Sequence, residues 1–129
     1  MATRTDAFDA TFKRLRAILK PHAKNMVVQA DTPKLYSLGL RGVQDRIGRP
    51  LFFGAVRKGK AYVSYHLMAV YAVPDLLDGL SPELRKRMQG KSCFNFIDID
   101  PAHVKELTAL TAKSVKRFDK KTLEKIVPW

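Results

Sequence analysis

Apolar side chains recur every three or four residues near both ends of the chain, which is the spacing of one helix face. The N-terminal set comprises Phe8, Phe12, Leu15 and Leu19. The C-terminal set comprises Val104, Leu107, Leu110, Val115 and Phe118. Pro21 marks the end of the first set, and Asp100-Pro101 is typical of a helix start before the second. We therefore predict one helix over residues 6–20 and a last helix that opens at Asp100-Pro101.

Between the two helices the sequence predicts short strands joined by turns. Runs that favour strands cover residues 26–29, 35–40, 51–56, 61–68 and 92–97. The turn after the third run contains Gly59, which we expect to supply the positive φ of a tight hairpin. Residues 41–50 hold two glycines, a proline and several charges, and should form an exposed loop. Ser81-Pro82-Glu83 is typical of a helix start, so a short helix should run to about Met88.

The order helix, hairpin-connected strands, short helix, strand, helix is that of an α+β protein. We predict a single antiparallel β-sheet with the N-terminal and C-terminal helices packed on one face. The length of 129 residues suits one domain over residues 1–129. Its core should span about residues 6–118, followed by a C-terminal tail over 119–129 that adds either a strand or a turn of helix.

Strand alternation sorts the side chains of this sheet into two faces. In the 61–68 strand, the side chains expected in the core are Ala61, Val63, Tyr65 and Leu67. Those expected on the opposite face are Tyr62, Ser64, His66 and Met68. In the 92–97 strand, Phe94 and Phe96 should face the helices, which turns Cys93 and Asn95 outward. If the two strands are neighbours, His66 comes within reach of Cys93 or Asn95. The solvated face of a half-covered sheet would give the same pattern.

The charge of the chain is the strongest compositional signal. Lys and Arg number 24 against 12 Asp and Glu, for a formal net charge of +12, and 13 of the basic residues lie within residues 1–60. Such a balance favours an anionic partner, and phosphate contacts need no sequence recognition. The candidate nucleic-acid contacts are Lys13, Arg14, Arg16 and Lys20 on the first helix with Arg41, Arg46 and Arg49 in the loop. An ordinary solvated basic surface is the alternative.

Several kinds of chemistry find no support in the sequence. Residues 54–61 have the spacing of a phosphate-binding loop, but Ala61 stands where the magnesium-binding Ser or Thr belongs. His22, His66 and His103 are scattered and Cys93 is the single cysteine, so no metal pattern exists and no cofactor is expected. Cys, His and Asn together suggest a thiol nucleophile, which requires a lowered thiol pKa. We predict no catalysis.

The expected compartment is the cytoplasm. The longest apolar run, residues 67–73, falls far short of the roughly 18 residues that a membrane span needs. Residues 1–9 carry charges and no apolar segment, which argues against a secretory signal peptide. A single cysteine fits a reducing compartment, and no membrane association is expected.

Four segments carry a resemblance to a known family. They are Phe53-Gly54-Ala55-Val56, residues 60–68, Ser81-Pro82-Glu83-Leu84 and residues 87–96. The chain resembles the YdhG-like proteins, domain-of-unknown-function family 1801, over about residues 8–118. The resemblance implies a small bacterial α+β domain that is distantly frataxin-like. Some relatives are described as intracellular iron chaperones, although the first helix here is basic and would repel iron cations.

Together these observations predict a non-catalytic binding module. Its ligand would be a small anion or a protein segment, held on the polar sheet face. The candidate ligand-binding residues are Lys60, Tyr62, Ser64, His66, Arg87, Lys91, Cys93 and Asn95. The alternatives are a non-specific nucleic-acid binder that uses the basic N-terminal half, and a frataxin-like iron chaperone.

Overall fold

The structure, a computed structural model, describes residues 4–44, 47–90 and 93–117. Its helices are α1 (Arg4–Leu19), α2 (Met68–Ala72), α3 (Pro82–Arg85) and α4 (Pro101–Arg117), and 3-10 turns cover Lys20–Asn25 and Pro74–Leu77. Its strands are β1 (Met26–Thr32), β2 (Leu35–Gln44), β3 (Pro50–Lys58), β4 (Val63–Leu67), β5 (Met88–Gln89) and β6 (Cys93–Phe96). They form one antiparallel sheet in the order β1-β2-β3-β4-β6-β5, which confirms the predicted α+β fold.

Helices α1 and α4 pack on one face of the sheet and form the core with it. Helix α1 buries the four predicted apolar residues, and α4 buries Leu107 and Leu110. On the sheet side of this core, Tyr65, Phe94 and Phe96 have no exposed surface. Burying one such large apolar side chain contributes about 1.5–3 kcal/mol, so this layer drives the docking of both helices. The hydroxyl of Tyr65 makes a 2.6 Å hydrogen bond with Thr111 of α4, which satisfies the one polar group on that ring.

The strands differ in extent from the sequence prediction. Strand β2 continues to Gln44, where it pairs with Pro50 of β3. The first part of the 41–50 segment, which was expected to be a loop, is therefore strand. Strand β4 begins at Val63 and ends at Leu67, so Ala61 is exposed and Met68 opens α2, a helix that the sequence did not predict. In both places the pairing of neighbouring strands, rather than local propensity, sets where a strand ends.

The turns also differ in detail. Gly59 does not adopt a positive φ; instead its N–H donates to the Tyr62 carbonyl over 2.9 Å and closes the β3–β4 turn. The N-cap prediction is confirmed, because the Ser81 hydroxyl accepts a hydrogen bond from the Leu84 N–H. Helix α3 nevertheless ends at Arg85, since Met88 and Gln89 pair with β6. The predictions for Phe118 and the tail over 119–129 lie outside the described residues.

Candidate functional site

The candidate site lies on the outer face of the sheet, opposite the helices, where β4 and β6 run side by side. Their register places Ser64 opposite Asn95 and His66 opposite Cys93. Between them the strands turn Val63, Tyr65 and Phe94 inward, each without exposed surface. The two strands are therefore neighbours, which was the condition for the predicted site. The predicted division between the two faces is confirmed for the strand residues, but Met68, which was expected on the outer face, lies in α2 and packs against the core.

Asn95 is the centre of a hydrogen-bonded cluster on this face. Its Oδ1 accepts the Ser64 hydroxyl over 2.8 Å and the Cys93 thiol over 3.2 Å. Its Nδ2 donates to Oε1 of Gln89 on the edge strand β5 over 2.7 Å. Both lone pairs of the Asn95 carbonyl oxygen are thus engaged, and one amide hydrogen is used. Gln89, which the sequence did not single out, completes the cluster because Gln89 and Cys93 pair across β5 and β6.

His66 and Cys93 approach each other without forming an activated pair. The Nε2 of His66 lies 3.9 Å from the Cys93 Sγ. Burial lowers the pKa of the His66 imidazole, and the Arg57 charge lowers that pKa further. Burial raises the pKa of the Cys93 thiol, against the opposite effect of a hydrogen bond with Ser64. Both shifts favour the neutral forms, whereas a nucleophilic cysteine needs a lowered thiol pKa.

Arg57 belongs to the site although the sequence analysis did not include it. We predicted that the third strand ends at Val56, which put Arg57 in the turn. In the structure β3 continues to Lys58, and Arg57 pairs with Ser64 on the outer face. Its side chain is exposed. If the predicted 51–56 strand is extended by two residues, strand alternation places Arg57 on the same face as Ala55. This alternation was the signal in the sequence that could have identified Arg57.

The remaining predicted ligand-binding residues lie at the margins of the cluster or beyond it. Lys60 and Tyr62 are exposed in the β3–β4 turn and belong to no strand. Arg87 lies beside the edge strand β5, where its carbonyl accepts the Asn95 N–H over 2.8 Å. It also lines a cavity of about 530 Å³ with Arg14 and His103. Lys91 lies outside the described residues.

Around the cluster, the outer face carries the positive charge of Arg57 and no carboxylate from the described strands. Outward positions around the cluster include Arg57, Ser64, His66 and Asn95, and the described strands place neither Asp nor Glu at an outward position. Asp31 is the one acidic residue in a described strand, and it pairs with Arg16 of α1. An anion on the outer face would therefore meet positive charge and hydrogen-bond donors.

The candidate nucleic-acid contacts are not gathered into one surface. Arg16 bonds Asp31 over 3.2 Å and stacks on the Tyr36 ring, and Arg14 bonds the Ile99 carbonyl. Arg41 donates to the Met26 carbonyl over 3.0 Å. Lys13 is exposed on α1 and Lys20 is exposed at the start of the 3-10 turn that follows it, whereas Arg49 lines a groove on the opposite face of the sheet. Arg46 lies outside the described residues.

Metal-binding clusters and membrane-spanning helices are both absent from the described ranges, 4–44, 47–90 and 93–117. Within them His, Cys, Asp and Glu form no group of three or more that could hold a metal ion. No helix there is both long enough and apolar enough to traverse a bilayer.

Comparison with protein-family models, with curated proteins and with solved structures returned no match. The resemblance to the YdhG-like proteins therefore stays a prediction from the sequence.

Proposed function

We propose that this protein is a non-catalytic binding module that holds a small anionic ligand on the outer face of its sheet. The residues that contact the ligand in this proposal are Arg57, Ser64, His66 and Asn95. Cys93 and Gln89 act by fixing the orientation of the Asn95 amide.

The proposal rests on one observation: hydrogen bonds within the cluster already occupy its amide oxygen atoms. The Asn95 Oδ1 receives two donors, and the Gln89 Oε1 receives a third. Donors that the cluster leaves for a ligand include the second Asn95 amide hydrogen and the guanidinium N–H groups of Arg57. Donors of this kind bind carboxylate or phosphate oxygens, and those that are charged do so most strongly.

The charge around His66 supports the same ligand class. Burial lowers the pKa of His66 and the Arg57 charge lowers it further, and the described strands place no Asp or Glu on this face. A bound anion would supply a compensating charge and would raise the pKa of His66. Anion binding should therefore be visible in the titration of this one imidazole.

The test is an NMR titration of the full chain with inorganic phosphate and with acetate. The proposal expects amide shifts on β4 and β6 and a rise in the His66 pKa. The double substitution His66→Ala and Asn95→Ala should remove these shifts in a protein that still folds, with some loss of stability from the three hydrogen bonds of Asn95. Anion-dependent shifts confined to α1, or equal shifts in the double variant, would contradict the proposal.

Non-specific nucleic-acid binding is the second candidate, and the formal charge of +12 favours it. The same titration with a short DNA duplex separates the two, because this candidate expects shifts on α1 that weaken steeply with salt. Replacing the exposed Lys13 and Lys20 by Gln should then flatten the salt dependence. A third titration, with ferrous iron, tests the iron-chaperone alternative.

A further inference from the structure

A cavity of about 580 Å³ opens between α1 and the turn that joins β1 to β2. Its lining on the helix side is Asp9, Phe12, Lys13 and Arg16. These four residues recur at the three- and four-residue spacing of one helix face. The end of β1, the turn and the end of β3 line the other side. None of the described residues that form the proposed anion site lines this cavity, so it is a separate place on the molecule.

Two ion pairs join α1 to the sheet at this cavity. Asp9 of α1 pairs with Lys58 at the end of β3. Arg16 of α1 pairs with Asp31 of β1 over 3.2 Å, and its guanidinium also stacks on the Tyr36 ring, 4.6 Å from the ring centroid. Asp9 and Arg16 are seven residues apart, so the two pairs are separated by roughly 10 Å along the helix axis. The space between them is long enough for a bicyclic aromatic group.

The middle of the cavity is apolar. Phe12 lies between the two ion pairs and is 6% exposed, and its ring is part of the lining. Pro33 of the β1–β2 turn lines the opposite side. Most of the lining surface is apolar, since the carbon atoms of the long charged side chains add to these two rings. A flat apolar group would therefore remove this surface from water.

The charges around the cavity do not cancel. Three cationic side chains line it, those of Lys13, Arg16 and Lys58, against the two carboxylates of Asp9 and Asp31. Both carboxylates are engaged in the two ion pairs, and Lys13 takes part in neither. Lys13 is exposed at the rim, one residue after Phe12. The cavity is therefore complementary to an occupant with a single negative charge next to its apolar part.

We propose that this cavity binds a flat aromatic carboxylate, with its rings between Phe12 and Pro33 and its carboxylate at Lys13. The inference does not depend on the proposed function, because the two sites share no residue. A compact anion would leave the surface of Phe12 and Pro33 in contact with water. A neutral aromatic molecule would leave the charge of Lys13 without a partner. Both parts of the ligand should therefore contribute to binding.

The experiment is an NMR titration of the full chain with 2-naphthoate, 2-naphthamide and acetate. The first two share the same rings and differ in charge, whereas acetate has the charge without the rings. 2-Naphthoate should shift the amides of Phe12, Lys13 and Thr32, and it should bind there at least about tenfold more tightly than acetate. Intermolecular nuclear Overhauser effects should connect its ring protons to Phe12 and Pro33.

Two variants with opposite expected effects test the role of charge. Lys13→Gln should weaken 2-naphthoate binding about threefold, and the loss should shrink with added salt because Lys13 is exposed. Asp31→Asn removes a carboxylate from the lining and releases Arg16 from its ion pair, so it should strengthen binding. The matched control is Lys105→Gln, which removes the same charge from an exposed position on α4 and should leave the affinity unchanged.

Three results would overturn the inference. If 2-naphthamide binds as tightly as 2-naphthoate, the cavity does not recognise the negative charge. If acetate binds at these amides as tightly as 2-naphthoate, the rings do not occupy the cavity. If 2-naphthoate shifts only β4 and β6, its site lies on the outer face instead. The proposed function is tested separately, because it requires acetate or phosphate to shift β4 and β6.

Discussion

The hydroxyl of Ser64 donates to the Oδ1 of Asn95 over 2.8 Å, which joins two strands that are 31 residues apart in the sequence. The same oxygen receives the Cys93 thiol, so its two donors fix which way the Asn95 amide faces. The amide nitrogen then faces the edge strand and bonds Gln89. The side chains of the cluster are already ordered before a ligand binds. Binding to their free donors would therefore lose little further side-chain entropy.

Arg57 should contribute to anion affinity more than any other cation near the cluster. Arg57→Gln should weaken phosphate or acetate binding about tenfold or more, since a hydrogen bond to a charged group contributes ~1.5–3 kcal/mol. It should also raise the pKa of His66 only partly towards its ordinary value, because burial is the larger cause of the shift. Isothermal titration calorimetry and imidazole NMR measure the two effects.

The matched control for this substitution is Lys60→Gln. It removes the same charge from the β3–β4 turn three residues away, where the side chain is exposed. Equal losses in the two variants would show that net charge, and not the position of Arg57, determines the affinity.

Cys93 should react slowly with iodoacetamide at neutral pH. Burial raises the pKa of its thiol, and the thiolate is the reacting species. The alkylation rate, followed by mass spectrometry, should therefore increase steadily from pH 7 to pH 9. A fast rate that hardly changes between pH 6 and pH 8 would indicate an activated thiol and would reopen the possibility of catalysis.

The stability of the protein should fall as the pH drops below the ordinary imidazole pKa of 6.5. Burial lowers the pKa of both His66 and His22 in the folded protein, so the unfolded chain binds protons first. Above the unfolded pKa, these two groups do not change the free energy of unfolding with pH. Between the unfolded pKa and the lowered folded pKa, the free energy of unfolding decreases as the pH falls. Urea unfolding at several pH values between 5 and 8 measures this dependence.

Two single variants separate the contributions of these histidines. His66→Gln and His22→Gln should each make the acid side of the stability profile shallower, and the double variant should make it shallower still. A profile that keeps its full slope in the double variant would mean that neither imidazole is responsible.

The sequence predicted the core and the inner face well because these depend on local periodicity. The spacing of apolar residues in both helices and the alternation through Val63, Tyr65 and Leu67 each required only residues close together in the chain. The same alternation gave the outward residues of β4 and β6, but the pairing of these two strands was assumed and depends on the fold. The residues at the centre of the cluster could therefore be named in advance.

What the sequence did not predict depends on contacts between distant segments. Arg57 reaches the outer face because β3 continues to pair with β4 beyond Val56. The row of Ser37, Ala55 and His66 across the outer face depends on two registers, that of β2 with β3 and that of β3 with β4. The irregularity in β1 between Val28 and Ala30 leaves Gln29 out of the ladder. None of these alignments has a signal in local propensity.

Gly39 should be required for the course of the Gln29 side chain across β2. A Cβ at this position would lie 2.8 Å from the Gln29 Cδ and 2.9 Å from the Pro50 Cβ. Because the φ of Gly39 is not positive, backbone strain is absent and the crowding alone should make Gly39→Ala destabilising, by about 1–3 kcal/mol.

Removing the obstructing side chain should relieve part of this cost, so Gln29→Ala should be less harmful, or even favourable, when Gly39→Ala is present. Urea unfolding of the two single variants and the double variant gives the coupling free energy, which should reach at least about 0.5 kcal/mol for residues in contact. Strictly additive losses would mean that the Gln29 side chain does not cross Gly39 in solution.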